Sequence, residues 1–267
     1  MQFNISNDTT IGYEIYGEGK PLLFLPGILG STKTYDLVLG DLPKSRTCIL
    51  IENTGQGETT FPQNCDPEYF CVEQHTSNVI SLLEHLEIDE LDIVGLSYGS
   101  VIAINLAKHL GKRVDKIVLL AALLCNKTAH YKNWNTLWGD CSYDLDNFTR
   151  IGLGLLFSED FLALMEDPFT TMRESYAAFT QKHMIAFRNN LKSASSFDIP
   201  PAFESLEQDI LCIHGETDVI HPIHELRNYL EKVGKKNILD MIPDAGHGLH
   251  VEVPEIVGNK IANYLGA

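Results

Sequence analysis

The stretch Ile93-Val94-Gly95-Leu96-Ser97-Tyr98-Gly99-Ser100-Val101-Ile102-Ala103 sets one serine between two glycines, where a strand-like apolar run gives way to a helix-like one. A tight turn between buried elements accounts for the glycines alone. A serine made into a nucleophile accounts for all three residues, provided that the chain also supplies a base and an acid. The pattern Gly-x-Ser-x-Gly is weak by itself, but a strand-to-helix turn is the place a nucleophile elbow requires. Such a turn strains Ser97, while Gly95 and Gly99 let strand and helix approach. The hydroxyl then projects above the carboxyl edge of a sheet, at a helix N-terminus. There the Tyr98 N–H and the helix dipole favour a developing oxyanion.

Outward from this turn, Gln2–Ile5 and Thr10–Tyr16 alternate as two short strands around Ser6-Asn7-Asp8. Pro21–Gly27 is an unbroken apolar run ending in Pro-Gly, the mark of a buried strand. A helical pattern covers about Thr34–Leu42, and Thr47–Asn53 is the next strand. Cys71–Leu86 carries Val72, Val79, Leu82, Leu83 and Leu86 at helical spacing. Leu91–Gly95 and Lys116–Leu123 are strands without alternation, with a helix at Tyr98–Leu110 between them. Strands apolar on both faces, alternating with helices, predict the α/β class: a mostly parallel sheet with helices on both faces. The rhythm stops after Leu123. Residues 124–190 hold both tryptophans and show helical patterns without a strand. It resumes at Asp209–Asp218 and Asn237–His247, each a strand running into a loop, and closes with a helix at about Pro254–Leu265. The expected organisation is a core of residues 1–123 and 191–267, interrupted by a helical insertion at 124–190.

A serine hydroxyl needs a base, and the base needs an acid to hold its tautomer. Ten histidines compete for the first role. His75, His85 and His109 fall within predicted helices, His130 and His183 in the insertion, and His214 at a strand end. His247 is favoured because it follows a strand directly and stands between Gly246 and Gly248, free to reach over the sheet edge. His250 is the alternative. For the acid, Asp218 follows the strand Ile210–His214 through Gly215-Glu216-Thr217, with Glu216 and Asp244 as rivals. Ser97, Asp218 and His247 then all follow strands at their carboxyl ends, where open α/β sheets bind ligands.

Bulk properties narrow the partners. A net charge of −16 over 267 residues argues against nucleic acid, whose phosphates need a basic surface. The one basic stretch, Lys108–Lys116, reads as cations at a helix C-terminus, with an acidic carrier protein docking there as the alternative. No run approaches the roughly 20 apolar residues of a membrane span. The first residues lack the basic start and apolar block of a signal peptide. Sequons at Asn4, Asn7, Asn126 and Asn147 therefore read as chance. Six cysteines (Cys48, Cys65, Cys71, Cys125, Cys141 and Cys212) form no C-x-x-C pair. The expected compartment is the cytoplasm.

Taken with its strand order, the series Gly95-Leu96-Ser97-Tyr98-Gly99, Asp218, His247 resembles the α/β-hydrolase fold superfamily over nearly the whole chain. That resemblance implies an oxyanion-hole donor after the third strand, where the superfamily usually reads His-Gly-x-x-Gly. Here Pro26-Gly27-Ile28-Leu29-Gly30 occupies the place, so the Ile28 N–H takes the role, with Pro26 where the histidine usually stands. After the next strand the superfamily tends to Asp-x-Arg-Gly-x-Gly-x-Ser. Glu52-Asn53-Thr54-Gly55-Gln56-Gly57-Glu58-Thr59 keeps both glycines and lacks the arginine.

The expected chemistry is cleavage of a carboxylic ester or thioester through an acyl-enzyme on Ser97, of a small-molecule or carrier-bound acyl substrate. Acyl transfer by the same triad and a non-catalytic ligand-binding role are the alternatives. The aromatic-rich insertion points to an apolar acyl or aromatic substrate, with Leu29, Trp134, Trp138, Phe157 and Phe161 as pocket candidates. No cofactor is expected. Gly55–Thr59 lacks the Gly-Lys-[Ser/Thr] of a phosphate loop. The pairs His221/His224 and His247/His250 lack the H-E-x-x-H of a metal site, so no metal is expected either.

Overall fold

The computed structural model describes residues 1–6, 8–62 and 66–267. Asn7, with its sequon and turn, and Cys65 lie outside the described residues. Eight strands form one sheet among those residues. They are β1 (Gln2–Asn4), β2 (Thr10–Tyr16), β3 (Lys20–Leu25), β4 (Arg46–Ile51), β5 (Leu91–Leu96), β6 (Val114–Leu120), β7 (Asp209–Gly215) and β8 (Leu239–Ile242). The order is β1-β2-β4-β3-β5-β6-β7-β8. β1 and β2 pair antiparallel, as do β2 and β4, and every later pair is parallel.

The helices are α1 (Val72–His85), α2 (Tyr98–Leu110), α3 (Ala129–Cys141), α4 (Leu145–Leu156), α5 (Glu159–Ala163), α6 (Pro168–Ala177), α7 (Gln181–Ser196), α8 (Ile199–Glu204), α9 (Ile223–Lys232), α10 (Leu249–Glu252) and α11 (Pro254–Leu265). Side chains alternate across each strand, so β3 sends Leu23 and Leu25 to one face and Leu22 and Phe24 to the other. The first pair packs with α1 and α2, the second with Tyr35, Val38 and α11. All four leucine and phenylalanine side chains are fully buried. Each such burial contributes about 1.5–3 kcal/mol, and both faces use it.

Three features differ from, or add to, the sequence reading. The helix expected at Thr34–Leu42 is a pair of single 3₁₀ turns, Thr32–Tyr35 and Leu42–Lys44. Gly40, at φ +46°, leaves the helical region between them and stops propagation. Second, the parallel strand β5 hides a fully buried carboxylate, Asp92. It takes Arg46 at 2.6 Å, Lys20 at 2.9 Å and the Lys116 N–H at 3.0 Å, so β3, β4 and β6 are tied to it. Third, α3 to α8 lie between β6 and β7, and α7 runs across the expected boundary at 190/191. In the basic stretch, Arg113 donates to the Asp89 and Ile88 carbonyls and Lys116 to that of Tyr264. Among the described residues, no helix is long and apolar enough to cross a membrane.

Candidate active site

Ser97 is the single residue between the end of β5 and the start of α2, at φ +51° and ψ −114°. Backbone so far from the allowed wells costs on the order of 1–3 kcal/mol and persists only where its surroundings enforce it. Here the Ser97 N–H donates to Leu120 O at 2.9 Å, and its carbonyl accepts the Ser100 N–H at 2.9 Å. The glycines are explained by contact. A Cβ on Gly95 would stand 2.6 Å from Gly99 O, and one on Gly99 would stand 2.1 Å from Leu25 O. The turn is thus sharp because β5, α2 and the end of β3 meet there without side chains between them.

Asp218 and His247 arrive on the loops that follow β7 and β8. His247 Nε2 lies 2.8 Å from Ser97 Oγ, and its Nδ1 lies 2.8 Å from Asp218 Oδ2. Asp218 Oδ1 accepts the His221 N–H at 2.9 Å. Burial pushes the Asp218 carboxyl up, but the neighbouring imidazoles and the hydrogen bonds from His247 and the His221 N–H bring it down to about 2. An ionised carboxylate only accepts, so Nδ1 of His247 carries the proton and Nε2 is free to accept from the Ser97 hydroxyl.

His214, fully buried on β7, donates from Nε2 to His221 O at 2.8 Å, with Asp218 Oδ2 3.3 Å away. Burial holds its imidazole below the usual histidine range against the pull of Asp218. It therefore steadies Asp218 as a neutral N–H dipole rather than as a cation.

The rival residues are placed elsewhere. Glu216 and Asp244 are exposed. His250 lines the adjoining cavity, its Nδ1 is unpartnered among the described residues, and burial pushes it down to about 4. The structure brings Ser97, His247 and Asp218 together and leaves these three out of the chain of hydrogen bonds.

Opposite Ser97 runs the loop after β3. Gly30 N–H closes it onto Gly27 O at 3.1 Å, and Leu29 sits at φ +65°. Left-handed backbone at a leucine costs roughly 1–2 kcal/mol, so this turn is held rather than relaxed. A Cβ on Gly27 would lie 3.4 Å from Ser97 Cβ, which puts the Gly27–Ile28 peptide against the serine. Neither the Ile28 N–H nor the Tyr98 N–H donates to another group among the described residues.

A cavity of about 410 Å³ opens over these groups, with Ser97 and His247 in its floor. Ile28, Leu29, Trp134, Trp138, Phe157 and Phe161 all line it. Trp138 also stacks on Phe148 at 5.7 Å and meets Phe187 edge-on at 5.0 Å, so it packs the inserted helices as well. The Tyr98 side chain points away from the cavity, where its hydroxyl donates to Phe70 O. Met172, Phe179, Leu123 and Ile220 line the cavity too and escaped sequence reading. They stand far apart along the chain, and no local pattern marks them. No group of three or more His, Cys, Asp or Glu side chains suited to a metal ion occurs among the described residues.

Comparison with known proteins bears on this geometry. The family model described as alpha/beta hydrolase fold matches residues 20–254. The chain belongs to the α/β-hydrolase fold family. Among its relatives, AB hydrolase superfamily protein YisY of Bacillus subtilis is 25% identical over 96% of this chain and 95% of that protein. Pyrrolizixenacetamide deacetylase of Xenorhabdus hominickii is 25% identical over 93% of this chain and 91% of its own. The crystal structure of MGS-M2, an alpha/beta hydrolase enzyme from a Medee basin deep-sea metagenome library, superposes with a TM-score of 0.88 at 22% identity. It covers 100% of this chain and 98% of its own.

This α/β-hydrolase has Pro26 and Thr54 where the family pattern tends to histidine and arginine. Their neighbourhood is filled by amides: Asn53 Nδ2 faces Pro26 O at 3.4 Å and Gln56 Nε2 faces Gly27 O at 2.9 Å.

Proposed function

We propose that the protein is a serine hydrolase that cleaves a carboxylic ester or thioester through an acyl-enzyme on Ser97. The observation that carries this reading is the chain Ser97 Oγ–His247 Nε2 at 2.8 Å and His247 Nδ1–Asp218 Oδ2 at 2.8 Å. Ser97 Oγ attacks the acyl carbon while His247 Nε2 takes its proton, and Asp218 holds the imidazole and stabilises the imidazolium. The carbonyl oxygen becomes an oxyanion held by the Ile28 and Tyr98 N–H groups. Collapse breaks the bond to the leaving alcohol or thiol, which takes the proton from His247. Water then attacks the acyl-enzyme with His247 again as base, releasing the acid and restoring the Ser97 hydroxyl.

The helices inserted between β6 and β7, expected at residues 124–190 and continuing through the end of α7, serve as a helical cap over the sheet core, and they supply most of the cavity wall. The lining includes no Asp, Glu, Lys or Arg and is dominated by tryptophan, phenylalanine, leucine and methionine. Such a wall suits an uncharged apolar acyl group, free or on a carrier, because an unpaired carboxylate would lose its hydration there. The name of the Xenorhabdus relative, a deacetylase, agrees with transfer of an acyl group to water.

A fluorophosphonate probe tests the reading: it should label the native protein and leave Ser97→Ala blank. A panel of p-nitrophenyl esters and acyl thioesters of graded length should then be hydrolysed with a clear optimum. In matched esters, a carboxylate at the far end of the acyl chain should lower kcat/KM at least a hundredfold. No labelling and no turnover of any member of the panel would overturn the proposal.

A further inference from the structure

The segment after β4 carries two buried amides, Asn53 at 3% exposure and Gln56 at 2%. Both point at the loop after β3. Gln56 Nε2 donates to Gly27 O at 2.9 Å, and Asn53 Nδ2 approaches Pro26 O at 3.4 Å. Gly27 O and the Ile28 N–H belong to one peptide unit. That unit is planar and trans, so its carbonyl and its N–H point in opposite directions. Holding the carbonyl toward Gln56 therefore aims the N–H the other way.

The amide that does the holding is itself fixed. The Gln56 N–H donates to Asn53 O at 2.9 Å, and Gln56 O accepts the Thr59 N–H at 3.0 Å. Glu52 joins the two loops by accepting the Glu58 N–H at 2.8 Å and the Thr32 N–H at 3.4 Å. Gln56 Oε1 has no partner among the described residues. Turning the amide over would set Oε1 against Gly27 O, two acceptors face to face, so the donor orientation is the favoured one.

We infer that Gln56, assisted by Asn53, is a positioning residue that directs the Ile28 N–H at the carbonyl oxygen of the bound ester. The inference rests on the reading of Ser97 as nucleophile and Ile28 as oxyanion donor. It accounts for a sequence departure: with Pro26 in place of the usual histidine, the loop is supported from the neighbouring strand's loop by side-chain amides.

The test uses the full chain and a p-nitrophenyl ester that the native protein hydrolyses. Gln56→Met keeps the length and removes the donor. Its kcat should fall about tenfold, less than the 10²–10³ of losing an oxyanion donor outright, with KM within about twofold. Gln56→Glu adds a pH readout. Its protonated form donates to Gly27 O and its ionised form repels it, so kcat/KM relative to the native protein should rise as the pH falls. That ratio cancels the titration common to both proteins, and a merely structural role would leave it flat. If Gln56→Met fails to fold, the Gln56→Glu ratio decides alone. A Gln56→Met kcat within twofold of native, a loss confined to KM, or a flat Gln56→Glu ratio would overturn the inference. Failure of the underlying reading is seen separately, in the native protein, as no labelling of Ser97 and no ester turnover.

Discussion

Ser158 holds both carboxylate oxygens of Glu252: its N–H donates to Oε1 at 3.0 Å and its hydroxyl to Oε2 at 2.6 Å. The same carboxylate accepts the Gly246 N–H at 3.1 and 3.2 Å, and the Gly248 N–H donates to Leu156 O at 2.6 Å. The loop that carries His247 is therefore gripped from both sides, by α10 and by the junction of α4 and α5. No room is left for side chains beside it. A Cβ on Gly246 would meet Glu252 Oε1 at 2.8 Å, and one on Gly248 would meet Phe157 Cε1 at 2.7 Å. Replacing Glu252 with Gln puts an NH₂ group where an acceptor is needed and leaves one buried donor without a partner, a cost of about 1–3 kcal/mol. Glu252→Gln should lower Tm by several degrees and kcat about tenfold, read from thermal melts and ester kinetics on the same sample.

The hydrogen-bond chain from Ser97 to Asp218 predicts how the two histidines near the cavity separate. His247→Ala and Asp218→Asn should each cost on the order of 10³–10⁴ in kcat, the second because an amide favours the wrong tautomer. His250→Asn should retain more than a tenth of native kcat, since His250 touches neither Ser97 nor Asp218 in the chain of bonds described. A steady-state comparison of the three variants checks this, and equal losses for His247→Ala and His250→Asn would refute the assignment of the base.

Acid should unfold the protein well before Asp218 protonates. Burial pushes His75 down to about 4 and His221 to about 3, and moves His214 the same way. Each is neutral in the folded chain and takes up a proton only on unfolding once the pH drops below the ordinary histidine range. Their lowered values make stability full above about pH 6.5, and it is lost as the pH falls from there toward the folded values. At pH 5 the loss is about 2 kcal/mol for His75 and the same for His221, a large share of a typical 5–15 kcal/mol, and His214 adds in the same direction. Asp218 has the opposite chemistry and the same direction: its carboxylate stabilises above about pH 4, and that contribution vanishes between about 4 and 2. Melting temperatures between pH 8 and 4 should fall steeply below pH 6, whereas a Tm flat down to pH 4 would contradict this account.

Two glycines test contact against chain entropy. Gly99→Ala drives a Cβ to 2.1 Å from the Leu25 carbonyl, so strand and helix must part. Backbone shifts of that kind cost about 1–3 kcal/mol or more, and kcat should collapse with the displacement of Ser97. Gly154, inside α4, has nothing within 4 Å of the same added atom. Gly154→Ala should instead gain about 0.5–1 kcal/mol. Denaturant titration of both variants gives the two signs.

Much of this molecule is legible along the chain because its signals are local. The apolar runs at β3, β5 and β6, the helical period of α1 and α2 and the glycines around Ser97 each depend on neighbours a few residues apart. The loops bearing Asp218 and His247 could likewise be placed at strand ends by position. Where a local rule failed, at Thr34–Leu42, the helical spacing was present and Gly40 ended it through backbone conformation.

The sequence by itself determined the class of sheet, the elbow and the order in which three polar residues reach one edge. Only the tertiary structure decided what holds them. Gln56 and Gly27 lie 29 positions apart, and Glu252 and Ser158 lie 94 apart, so no periodicity connects them. Asp92 likewise sits unmarked in an apolar strand until Arg46 and Lys20 arrive from two others. The physical reason is one of range: propensity and hydrophobic spacing act over a few residues. A hydrogen bond acts over about 3 Å, and only the folded chain says which residues that distance joins.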